Sequence, residues 1–212
     1  MTKIVITPRV AAAFLTLALV GCSPKPPPSP IVSLDGRTCA DSVDLGSAKA
    51  VQVTSDKSIS VTLDDKSPCV HDALSGNRNV YAIFLLPQSD DSWFLSIDSI
   101  AVGERLFTPR AQLLDAAGNV QREITRDAFT FHGIALHAGL RPHPGEQYLL
   151  VTSDKASIGQ STSRIMDATQ VTTGAGGGVF LQIHTGSESI PTFVGAYNGT
   201  IVVAAKPIPK SK

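Results

Sequence analysis

The 212-residue chain has no net charge, since 18 Lys and Arg balance 18 Asp and Glu, and charged residues make up only 17% of it. Without a basic excess there is no electrostatic footprint for nucleic acid. The low charge and 42% hydrophobic content also argue against wholesale disorder. No strong helical period runs through the body, and 17 Gly with 14 Pro do not suit a long helix or coiled coil. Catalytic spacings are missing too: there is no GxSxG, SxxK, HExxH or P-loop pattern. The histidines are His71, His132, His137, His143 and His184. His132 and His137 are five apart, which puts them on opposite faces of a strand and is poor spacing on a helix, so no metal site is expected. The acidic pairs Asp64-Asp65 and Asp90-Asp91 read as solvated turns, because neighbours on a strand point apart. The expectation is a non-enzymatic protein without cofactor or metal. The rival is an enzyme whose residues converge only in three dimensions.

What is present starts with an address. Lys3 and Arg9 precede the apolar run Val10 to Val20 (VAAAFLTLALV). Eleven residues span roughly 16 Å as a helix, well short of a ~30 Å hydrocarbon core, so the run fits a signal peptide and not an anchor. It ends Leu19-Val20-Gly21-Cys22, which resembles the lipobox of bacterial lipoproteins. The resemblance implies a signal peptide over 1–21, acylation of Cys22 and attachment to membrane lipid. Ser23 after the cysteine, rather than Asp, implies the outer membrane, with the domain on its periplasmic face. Residues 22–30 then form an acylated, Pro-rich linker (SPKPPPSP from Ser23), an extended spacer of roughly 25 Å. Cleavage removes Lys3 and Arg9 but no acid, leaving a formal −2.

With Cys22 assigned to lipid, Cys39 and Cys69 remain in an exported chain. One intramolecular pairing is open to them, and a disulfide is expected. Free or catalytic thiols are the alternative, but there is no CxxC.

Over 31–212, short apolar runs alternate with turn signals, which predicts an all-β domain, a single antiparallel β-sandwich of jelly-roll-like form. Val51 to Val53 and Ile59 to Leu63 flank Ser55-Asp56-Lys57 as a predicted hairpin. The run Val80 to Leu86 is uniformly apolar and is placed centrally. Phe94 to Val102 alternates, with Leu95, Ile97 and Ser99 on one face. Arg110 to Asp115 and Val120 to Thr125 flank Ala116-Ala117-Gly118-Asn119, a hairpin turn. Ile134 to His137, Tyr148 to Thr152, Val179 to His184 and Gly199 to Ala205 supply further strands. Ser157 to Val171 is read as a short helix or irregular loop, and Gly174 to Gly178 as a flexible connection. VTSDK occurs at Val53–Lys57 and Val151–Lys155 as repeated strand-exit chemistry.

Binding candidates are few. Asp90, Asp91 and Trp93 could hold a sugar, the ring stacking while the acids accept hydroxyl hydrogens; the bland alternative is that Trp93 caps the core. Tyr197 is a turn aromatic with the same two readings.

Four stretches in order carry a further resemblance: Tyr81 to Pro87 (YAIFLLP), Leu106 to Asp115 (LFTPRAQLLD), Gly145 to Thr152 (GEQYLLVT) and Asn198 to Val203 (NGTIVV). Their order resembles the maltose operon periplasmic protein family over roughly residues 35–205. The resemblance implies an envelope accessory or binding protein linked to maltodextrin uptake, with carbohydrate or an envelope protein as partner. It transfers no active-site residues. The alternative is a structural or assembly lipoprotein of an envelope complex.

Overall fold

The structure is a computed structural model that describes residues 34–72, 77–89, 92–164, 166–176 and 179–209, with residues 72, 77, 166–176 and 179–189 described through their backbone. The expected signal peptide and linker, Cys22, Asp90 and Asp91 lie outside the described residues.

The alternating runs become strands β1 (Lys49–Ala50), β2 (Ile59–Leu63), β3 (Cys69–Asp72), β4 (Asn77–Leu85), β5 (Trp93–Ile100), β6 (Arg105–Phe107), β7 (Pro109–Leu114) and β8 (Val120–Ile124). They continue as β9 (Thr130–His132), β10 (Ala135–Leu140), β11 (Tyr148–Ser153), β12 (Ser161–Ser163), β13 (Met166–Gly176), β14 (Val179–Ser189), β15 (Thr192–Ala196) and β16 (Gly199–Pro207). The described helical residues are confined to short 3-10 turns.

Two large sheets form the sandwich, ordered β1-β4-β11-β7-β8 (with β3 also on β4) and β2-β16-β5-β10-β9. A short sheet β12-β15-β6 lies alongside, and β13-β14 form a sheet of their own. Pairing is antiparallel except for the short pairs β1/β4 and β6/β15.

The core lies between the large sheets. Phe84, Leu113 and Leu149 from one meet Leu95, Ile97, Leu136, Ile201 and Val203 from the other, all fully buried. Each such side chain contributes about 1.5–3 kcal/mol by leaving water. β5 shows the pleat at work: Leu95, Ile97 and Ser99 face inward, and the Ser99 hydroxyl satisfies itself on the Phe107 carbonyl. β4 is central and buried on both faces, because Val70, Tyr81, Ile83, Leu114 and Leu150 form a second cluster under Val43, Leu45 and Ala48.

The Asp115 turn forms as its composition predicts. Gly118 takes φ 85°, and Asp115 Oδ1 accepts the N–H groups of Ala117 and Asn119 at 2.9 and 2.8 Å. Asn119 Nδ2 and Gln121 Nε2 donate to the other oxygen, each at 3.0 Å. The Asn119 side-chain bond, followed by its backbone bond, holds the Asp115 carboxyl below its ordinary 3.8. A lowered folded pKa stabilises the fold above the unfolded value, and that contribution fades as pH falls through the folded one. The Asn119 amide resonance is therefore expected to titrate with a midpoint below 3.8; a midpoint at or above 3.8 rejects the clamp.

Two local predictions fail for one reason. At 51–63 the turn exists, since Thr54 Oγ1 accepts the Lys57 N–H at 3.1 Å. Its arms do not pair, however. Val53 bridges Ala205, while β2 zips along Gly199–Val203 of β16. A five-position ladder on a buried strand outcompetes a three-residue arm. The described residues of Ser157–Val171 are largely strand: after a 3-10 turn at Lys155–Ser157 come β12 and the first half of β13, and Gly174–Gly176 continue that strand. Weak local propensity yields to cross-strand pairing.

Candidate functional site

Strands β4 and β5 belong to different sheets, and the described residues 86–89 and 92 that follow the one and precede the other lie at one end of the sandwich. The Leu86 N–H bonds the Gln147 carbonyl at 2.8 Å, which pins this loop to the 141–147 loop. Between them lies a cleft of about 410 Å³ lined by Gln88, Ser89, Ser92, Trp93, Arg141 and His143 among others. A second hollow, about 670 Å³, adjoins it across the same loop, between Val51–Val53 and Pro207–Ile208.

Glu146 fixes one wall. Its side chain is 3% exposed, yet it is fully partnered. Arg122 grips it with Nε on Oε1 at 3.0 Å and Nη2 on Oε2 at 2.8 Å. The His143 N–H adds a bond to Oε2 at 2.7 Å, and Arg122 Nη2 also reaches the Arg141 carbonyl at 3.1 Å. Three donors on one carboxylate turn Pro142, Pro144 and Gly145 into a rigid rim. The carboxylate is thus structural. The rim side chains of Arg141 and His143 stay exposed to a ligand.

Trp93 starts β5 at the cleft floor and is only 8% exposed. It belongs to the core and also lines the cleft. Tyr197 does not join it. Pro207 stands opposite Trp93 and Thr200 opposite Ile100, so the intervening strand alone is roughly 23 Å, and Tyr197 lies beyond it. The two aromatics therefore occupy opposite ends of the sandwich and form no single site. Tyr197 is half-buried against the core, and burial, followed by the charge of Asp35, pushes its phenol above 10.0.

The Tyr197 end is also where the described chain begins. Arg78 holds the Leu34 carbonyl at 3.4 Å, and Arg37 donates to the Ser67 carbonyl. Cys39 and Cys69 are joined as a disulfide beside them, as expected.

Spacing along the sequence missed one constellation. The β9–β10 turn, with Gly133 at φ 59°, sets His132 opposite Ala135. His137 then sits diagonally across from His132, and their rings stack at 4.7 Å between centroids. Treating the two as members of one element was the error; a turn between them puts both on one face. His137 Nδ1 lies 2.8 Å from Asp98 Oδ1, and the Ser96 hydroxyl donates to Asp98 Oδ2 at 2.8 Å. The serine is engaged by the aspartate and not by the imidazole, so this is not an activated nucleophile. Among the described residues no three His, Cys, Asp or Glu side chains gather to hold a metal ion.

Comparison with protein-family profiles, characterised proteins and solved structures finds no match to this chain.

Proposed function

We propose that the protein is an outer-membrane-anchored periplasmic lipoprotein whose β-sandwich is a non-enzymatic binding module for a hydroxyl-rich ligand of the maltodextrin class. One observation carries the reading: the polar cleft opens at the end of the sandwich opposite to the point where the chain enters it. A tether reaching the Tyr197 end turns the cleft away from the lipid. Arg141, His143, Gln88, Ser89 and Ser92 offer donors and acceptors suited to sugar hydroxyls, and the Trp93 edge offers an apolar contact. Because so little ring is exposed, affinity on the order of 1 mM is expected, about −4 kcal/mol.

Trp93 is the only tryptophan, so its fluorescence reports on the cleft alone. Titration with maltodextrins of increasing length is expected to change that fluorescence saturably, and Arg141→Ala is expected to weaken the response. A flat signal for every oligosaccharide rejects carbohydrate as the ligand. Metabolic labelling with an alkynyl fatty acid tests the anchor separately: Cys22→Ser is expected to abolish the label.

The alternative, a structural or assembly lipoprotein, draws support from a different feature, the ribbon β13–β14.

A further inference from the structure

β13 and β14 run eleven residues each, in register from Met166↔Ser189 to Gly176↔Val179. That is a ribbon roughly 35 Å long. It extends from the β12–β15 pair, where Ser163 pairs Thr192 and the Arg164 N–H bonds the Pro191 carbonyl at 3.1 Å. Among the described strands neither β13 nor β14 has a second partner.

Such an element is unfinished on three grounds. A two-stranded ribbon is at best marginally stable in water, and a third strand is what makes a sheet hold. Among the described strands neither long edge has a neighbour, and an edge without one presents backbone N–H and C=O groups as a template for pairing with another chain. The sequence also carries none of the usual guards. From Ala168 to Ser187 there is no Asp, Glu, Lys, Arg or Pro, and His184 is the one titratable side chain. The ribbon's charges are Asp167 and Glu188, which face each other at its root.

We infer that the ribbon is a self-association arm, in which β14 of one copy pairs antiparallel with β13 of the next. The occupant follows from the two edges. They have no neighbour among the described strands, and they are equal in length and opposite in direction, so each copy offers the strand its neighbour lacks. A foreign strand would need only one edge. Copies whose tips point the same way automatically set β14 against β13 in antiparallel sense. The contact is head-to-tail, so it propagates until a ring closes. It needs neither the cleft nor a ligand.

The test compares the full chain with one in which residues 166–189 are replaced by Asn-Gly. Both keep the same N-terminus, so association caused by the N-terminus is common to both. Hydrogen exchange, followed from dilute to concentrated solution, reads the edges directly. The ribbon amides that point away from the partner strand are expected to slow by about tenfold as light scattering detects oligomers, with body amides unchanged. The excised chain is expected to melt as the full chain does and to stay smaller. The inference is overturned if the full chain remains monomeric with concentration-independent exchange. It is equally overturned if the excised chain associates as strongly, or if the ribbon edges are already protected in the monomer.

Discussion

Reduction of the Cys39–Cys69 disulfide lowers the melting temperature by roughly 8–15 °C, the expected result for a bond that closes a loop of this size in a domain of this length. The two cysteines are 30 positions apart. Constraining that loop in the unfolded chain stabilises the fold by about 3–4 kcal/mol in the chain-entropy model. The bond also has a local task. It clamps the incoming segment onto β3, where the Ala40 N–H bonds the Cys69 carbonyl at 3.0 Å and the His71 N–H bonds the Ala40 carbonyl at 2.8 Å. Thermal unfolding of the Cys39→Ser/Cys69→Ser variant, with and without reductant, measures the effect. The wild type under reductant should match the variant, and the variant should ignore reductant. A wild type that melts at the same temperature with its thiols demonstrably free would show that the clamp stores no stability.

The second large effect is expected at Arg122. Arg122→Ala strips two of the three donors from a carboxylate that is 3% exposed. Leaving such a charge uncompensated costs about 3 kcal/mol, the low end for a broken buried pair, because the guanidinium itself is a quarter exposed. Arg122→Ala/Glu146→Gln removes the charge while keeping an acceptor for the His143 N–H. The double variant is therefore expected to be more stable than Arg122→Ala alone. Denaturant midpoints give all these values; double-variant losses equal to the sum of the single ones would mean the pair is not coupled. The same change should loosen the 141–146 rim and so weaken any response of Trp93 to ligand.

The Glu146–Arg122 clamp marks the boundary of what a linear reading reaches. Arg122 and Glu146 are 24 positions apart, on β8 and in the loop before β11. No spacing rule connects them, because their meeting depends on β7 lying between β8 and β11 in the sheet. Trp93 was legible as a core-capping residue or a ligand contact; the structure buries it in the core and also sets it among the residues lining the cleft, and the ligand contact belongs to the proposal. Grouping it with Tyr197 required knowing which strand ends coincide. The His132–His137 stack was missed for the opposite reason. Its signal, a glycine inside a short interval, was local and present, but the interval was read as one element instead of a turn.

Taken by itself, the sequence determined the all-β class, the central β4, the face assignment of β5 and the Asp115 turn, and it pointed to the Cys39–Cys69 disulfide. All of these depend on neighbours one to five residues apart or on counting. Tertiary structure decided which strands adjoin: β2 with β16 instead of with the segment before it, and β16 beside β5 across about half the chain. It also decided that the cleft and the start of the described chain fall at opposite ends, and that β13–β14 stand as a ribbon with no third strand among the described ones. The physical reason is that alternation fixes which way a side chain points, whereas the partner across the ladder is chosen by competition among every exposed edge in the molecule.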